Sequence, residues 1–254
     1  MTSVLLIGDS HTGGPFGERM HTLLRGAGFD VLTVASWGSG PGGWFRGFKT
    51  KKLVARGTSP EPLVRENVDT PLLRSLLEEK KPDVVLIALG ANIRGNAPAV
   101  VAKDSSALAR IAAASGARVI WIGPPRGPKD DRDDLESLHA FDTKLSAVLR
   151  PVPFVSSAEL LPKYAGKDGI HYNNAEGTLL ATQWADRVFR TISDSLVPTS
   201  AALVPAASAG STGGPSKTKV AVFLGVCAAV GLASWYAPPA FNPFGDPSKQ
   251  RWRR

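Results

Sequence analysis

Four residues in this chain have side chains suited to nucleophilic acyl transfer: Ser10, Asn92, Asp168 and His171. Hydrolysis of an ester needs a nucleophile, a base to activate it, a group to orient that base, and donors for the oxyanion. Ser10 stands in Gly8-Asp9-Ser10-His11, directly after the apolar run Val4-Leu5-Leu6-Ile7. A hydroxyl at the carboxyl end of a first parallel strand occupies the edge where open α/β sheets bind ligands. The tetrapeptide alone reads equally well as a strand-to-helix turn, with Asp9 or Ser10 capping backbone amides. Asp168-Gly169-Ile170-His171 supplies a carboxylate and an imidazole three residues apart. On a tight loop or helical turn that spacing lets both side chains share one face. The aspartate can then fix the tautomer of His171, the candidate base. Read alone, Asp168-Gly169 is an ordinary turn.

These residues need a scaffold, and the first 195 residues alternate strand and helix signals. Strands are expected at Val4–Ile7, Asp30–Ala35, Val84–Leu89, Arg118–Ile122 and Val152–Val155, the last an edge strand because it contains Pro153. Helices are expected at Phe16–Arg25, from Asp69-Thr70-Pro71 to just before Pro82, at Pro98–Ser115, at Asp133–Leu149, and from an Asn173 or Asn174 cap to about Ile192. Residues 36–68, rich in glycine and basic residues, read as a long irregular stretch. Repeated β-α units imply a parallel sheet with right-handed crossovers and helices on both faces. The expected fold is a flavodoxin-like three-layer α/β/α sandwich with a mostly parallel five-stranded sheet, followed by a C-terminal apolar helix.

Four blocks, each at a strand end or in a loop, stand in a fixed order: Gly8-Asp9-Ser10, Trp37-Gly38-Ser39-Gly40, Gly90-Ala91-Asn92 and Asp168-x-x-His171. In this order they resemble the SGNH (GDSL-type) hydrolase family, over about the first 195 residues. The resemblance implies Ser10, His171 and Asp168 as the catalytic residues. It also implies an oxyanion hole made by the backbone amides of Ser10 and a glycine together with the Asn92 side chain. Family spacing points to Gly40 for that glycine, with Gly38 as the alternative. Family members hydrolyse lipid esters, thioesters and O-acetyl groups on sugars. The small, glycine-lined strand ends favour a short acyl group. The sequence departs from the family at His11, where many members have leucine, and that departure bears on the shape of the acyl pocket. A non-catalytic binding module, or a structural component of a membrane-associated or virion assembly, is the alternative reading of the same fold.

Other chemistries lack their signatures. The single cysteine, Cys227, allows no internal disulfide and no cysteine metal cluster. No His-Glu-x-x-His, GxGxxG or Walker pattern is present, so neither a metal nor a cofactor is implied. His21 and His139 fall within helical patterns, as surface residues. Arg46, Lys49, Lys51, Lys52 and Arg56 lie in the long stretch with Trp44, Phe45 and Phe48. They read as a solvated loop or, alternatively, as a lid for an anionic or glycan substrate. Arg126, after Gly123-Pro124-Pro125, stands within reach of the sheet's carboxyl edge.

The formal charge of +8 is unevenly spread, with net +3 on residues 1–195 and net +5 on residues 196–254. A basic tail is not the basic face of a nucleic-acid-binding domain, so a nucleic-acid partner is not expected. Residues 196–219 read as a flexible Ala/Ser/Gly/Pro linker and residues 238–254 as a basic tail. Between them, Val220–Ala237 carries no charge and would span roughly 27 Å as a helix, close to the thickness of a bilayer core. With Lys217 and Lys219 on one side and Trp235 and Tyr236 on the other, it reads as a transmembrane helix. The N-terminus enters a strand at once, without the pattern of a signal peptide. The expectation is a membrane-tethered, cytoplasm-facing domain, with exposure on a membrane particle or virion as the alternative.

Overall fold

The computed structural model describes residues 1–127, 134–161, 168 and 170–196. Its strands are β1 (Ser3–Gly8), β2 (Asp30–Ser36), β3 (Lys49–Arg56), β4 (Leu63–Asp69), β5 (Val84–Ala88), β6 (Arg118–Ile122) and β7 (Phe154–Val155). The helices are α1 (Ser10–Gly13), α2 (Pro15–Gly26), α3 (Gly43–Arg46), α4 (Leu73–Lys80), α5 (Pro98–Ala113), α6 (Leu135–Leu149) and α7 (Ala175–Leu196). One sheet of seven strands runs in the order β4-β3-β2-β1-β5-β6-β7. The strands β2, β1, β5, β6 and β7 run parallel to one another, β3 is antiparallel to β2, and β4 is antiparallel to β3.

Strand alternation explains the three layers. On β1, Leu5 and Ile7 face one way while Val4 and Leu6 face the other. The first pair joins a core with Leu32, Val34, Val85, Ile87, Val119 and Trp121, covered by Leu76 of α4, Leu108 of α5 and Leu145 of α6. The second joins Val31, Leu86, Ile120 and Ile122, covered by Phe16 and Met20 of α2 and by Trp184 and Val188 of α7. Burial on both faces is why the central strands are uninterrupted apolar runs. Each fully buried indole also places its N–H: Trp121 donates to Leu89 O (2.9 Å), Trp184 to Ser157 Oγ (3.0 Å) and Trp44 to Ser39 Oγ (3.1 Å).

The expected count of five strands is corrected to seven. Residues 36–68 are not irregular throughout, because most of this stretch forms α3 and the β3–β4 hairpin. The hairpin is hidden in the sequence because β3 begins Lys-Thr-Lys-Lys and β4 is a half-exposed edge strand. Its register sets Lys49 opposite Asp69 and Lys52 opposite Glu66, unlike charges that favour the pairing. A second correction concerns α4. Neither Asp69 nor Thr70 caps it; Leu72 holds the cap position without a side-chain bond, and Thr70 Oγ1 instead lies 2.6 Å from Ser36 Oγ. A third concerns His21, which is buried rather than on the surface, between Thr33 Oγ1 (3.0 Å) and Gly57 O (3.2 Å). Burial lowers its pKa, and Arg25 and Arg56 add to that effect. The linker, the Val220–Ala237 helix and the tail lie outside the described residues. Among the described residues no helix is long and apolar enough to cross a membrane.

Candidate active site

The parallel strands β1, β2 and β5 end together: Gly8 is in register with Ala35 and Ala88. The turn after β1 is tight, and Gly8 makes it possible. A Cβ there would meet Thr12 Oγ1 at 1.9 Å and the Ala88 carbonyl at 2.7 Å. Asp9 caps α1, accepting the His11 backbone N–H at 3.0 Å on Oδ1. Ser10 is therefore the first residue of a helix, where backbone N–H groups have no intrahelical acceptor.

The loop before α7 brings the other two groups to this turn. His171 Nε2 is 2.9 Å from Ser10 Oγ, and His171 Nδ1 is 2.7 Å from Asp168 Oδ2. Asp168 Oδ1 accepts the backbone N–H groups of Ile170 (2.9 Å) and His171 (2.8 Å), an Asx-type loop that orients the carboxylate. Burial alone would raise the pKa of Asp168, but these bonds and the imidazole outweigh it and hold the carboxyl at about 2. Asn174 Oδ1 caps α7 by accepting the Gly177 N–H at 2.7 Å, which fixes where this loop ends.

Asn92 lies in the short 3₁₀ turn Ala91–Ile93 after β5. Its Nδ2 donates to Ser39 O at 3.1 Å and approaches Asp9 Oδ2 at 3.4 Å. Asn92 is thus tied both to the Asp9–Ser10 turn and to the Ser39–Gly40 peptide. Gly40 is packed against Ile93, where a Cβ would come within 2.7 Å of Cγ2, whereas Gly38 is exposed at φ +78° beside Phe48. Asp9 is buried, and burial pushes its carboxyl up to about 7, against the lowering effect of the His11 N–H bond.

A cavity of about 230 Å³ opens beside Ser10 and His171. Its apolar walls include Phe16, Trp37, Tyr172 and Trp184, and Phe16 stacks on Trp184 at 3.7 Å. Trp37 stacks on the His171 ring, with centroids 5.4 Å apart and planes 23° apart. His11, the departure in the nucleophile motif, lines the same cavity, its ring 5.8 Å from that of His171. These aromatic walls had only positional signals in the sequence: Trp37 follows β2 and Tyr172 follows His171. Among the expected cations, Arg46 pairs with Asp104 (2.6 Å), and neither residue lines the cavity. Arg126 contributes its carbonyl, which accepts the Tyr172 hydroxyl at 2.8 Å. His139 is a half-exposed surface residue 3.2 Å from Glu159.

No family model matches the chain, and no curated protein matches it in sequence. Solved structures do match in shape. One is TesA, at 22% identity and a TM-score of 0.53, the alignment covering 77% of this chain and 100% of that one. Another is the psychrotrophic esterase EstA from Pseudoalteromonas sp., solved inhibited by monoethylphosphonate, at 16% identity and a TM-score of 0.51, covering 77% and 99%. With the parallel sheet, the helices on both its faces and these likenesses together, the chain has the fold of the SGNH (GDSL-type) hydrolases.

Proposed function

We propose that this protein is a serine esterase that cleaves carboxylic esters, with a short acyl group or an O-acetyl group on a glycan or lipid as the group removed. The observation that supports it best is the His171 imidazole, bonded on one side to Ser10 Oγ and on the other to Asp168. In this reading His171 Nε2 takes the proton from Ser10 as Oγ attacks the carbonyl carbon. Asp168 holds the Nδ1–H tautomer and stabilises the imidazolium that forms. The C–O bond breaks as Nε2 passes that proton to the alcohol. Water then attacks the acyl-enzyme by the same route in reverse roles, releasing the acid and restoring Ser10.

The tetrahedral oxyanion would sit against the Ser10 N–H, the Asn92 amide and the Gly40 N–H. Asn92 is anchored by Ser39 O and Asp9, and an oxyanion would compete for one of its two N–H groups. Gly40 is favoured over Gly38 because it packs against Ile93 of the turn that carries Asn92, whereas Gly38 is exposed beside Phe48. The cavity has room for roughly six to eight atoms, at the ~30 Å³ that one water takes up in the liquid. The uncharged run Val220–Ala237 supports tethering of the esterase to a membrane.

A panel of p-nitrophenyl esters of rising chain length, followed by acetylated glycans, tests this reading. The expected result is turnover that peaks at short acyl chains and is lost in Ser10→Ala. Wild-type protein inert to every ester in the panel would contradict it.

A further inference from the structure

The β3–β4 hairpin overhangs the sheet at the active-site edge. Ser36, the last residue of β2, pairs with Leu53, so Lys49–Lys52 run on past it, paired only with β4. This overhang grips the residue that follows β2. The Trp37 N–H donates to Lys52 O at 3.0 Å, and the Trp37 carbonyl accepts the Thr50 hydroxyl at 2.9 Å. The hairpin thus holds the indole that stacks on His171 and forms one wall of the cavity.

The same indole carries a cation. Lys52 Nζ lies 5.0 Å from the centre of the Trp37 ring. Its cross-strand neighbour is Glu66, yet the ammonium is drawn over the indole, and no carboxylate among the described residues lies within ion-pair distance of it. Two nearby cations are committed elsewhere: Arg46 to Asp104, and Arg56 to the Gly13 carbonyl at 3.2 Å and Glu18 at 4.0 Å. Lys52 is therefore a half-buried cation held on the Trp37 wall of the cavity, without an acidic partner among the described residues.

We infer that Lys52 and Trp37 form a subsite for an anionic group on the alcohol portion of the ester. This rests on the esterase reading, which fixes the side on which the anion sits. His171 Nε2 hands its proton to the leaving oxygen, so the alcohol departs beside the imidazole, next to the indole on which the ammonium rests. A phosphate, sulfate or carboxylate a few bonds from the ester oxygen meets Lys52 there. The acyl group carries no such requirement.

Two acetyl esters that differ in the charge of the leaving phenol test it: o-nitrophenyl acetate and 3-acetoxy-4-nitrobenzoate. The reading is the ratio of kcat/KM for the carboxylated ester to that for the neutral one. Lys52→Gln should lower this ratio about fivefold, the scale of a partly exposed ion pair, through KM rather than kcat, and Lys52→Arg should restore most of it. The wild-type ratio should also fall as salt is raised. An unchanged ratio in Lys52→Gln overturns the subsite while leaving the esterase intact. A Ser10→Ala protein, titrated with the carboxylated ester by calorimetry, separates the two readings. Weaker binding when Lys52→Gln is added supports the subsite even if turnover proves absent, and equal binding removes it.

Discussion

His171 Nε2 lies 2.9 Å from Ser10 Oγ although 161 residues separate them in the chain. The sheet closes this gap. Ser10 leaves β1 at the centre of the sheet, and α7, whose N-terminal loop carries His171, packs beside α2 on the same face. Trp184 of α7 stacked on Phe16 of α2 locks that packing, so Ser10 and His171 meet at one edge of the sheet.

Asp168→Asn should keep the fold and cost on the order of a thousandfold or more in kcat, because an amide at that position favours the wrong imidazole tautomer. Asp168 should add no step to the acid side of the wild-type pH–rate profile, since its carboxyl stays ionised down to about 2. Its contribution to stability is present above the ordinary carboxylate range and is lost only as pH falls towards about 2. An Asp168→Asn protein with kcat close to wild type would contradict the assignment.

Asp9 should give the opposite stability signature. Its folded pKa is raised from 3.8 to about 7, so its favourable share of stability is complete below about 4 and is lost as pH rises through about 7. Asp9→Asn removes that titration. The melting temperature of the variant relative to wild type should rise between about pH 5 and pH 8. Thermal melts across this range check it; a constant offset would show that Asp9 does not titrate there.

Full-length protein is expected to pellet with membranes and to resist carbonate extraction, and a 1–195 fragment to stay in the supernatant with turnover unchanged. The basis is the charge-free run Val220–Ala237 with its basic and aromatic flanks. If both species stay in the supernatant, the apolar run serves packing or assembly.

Much of the scaffold was legible in the sequence, for a physical reason. Strands buried on both faces, such as Val84–Ala88, must be continuous apolar runs, and glycines mark where they stop. The positions of Ser10 and Asn92 followed from those strand ends, and Asp168 and His171 from the order of the four blocks that carry the family resemblance. The β3–β4 hairpin was not legible, because β3 begins with the charged run Lys49–Lys52 and β4 is half-exposed, so neither strand carries much hydrophobic periodicity. The buried state of His21 was hidden likewise: its partners, Thr33 on β2 and the Gly57 carbonyl, are set by tertiary packing. The stack of Trp37 on His171 depends on that hairpin, so it too required the three-dimensional structure.

The most direct test of the proposed nucleophile is labelling of the intact protein with a fluorophosphonate probe, followed by mass mapping of the adduct. One equivalent on Ser10 is predicted, abolished in Ser10→Ala and strongly slowed in a variant lacking the His171 imidazole. An unlabelled protein, or an adduct on any other residue, would contradict a Ser10 nucleophile activated by His171.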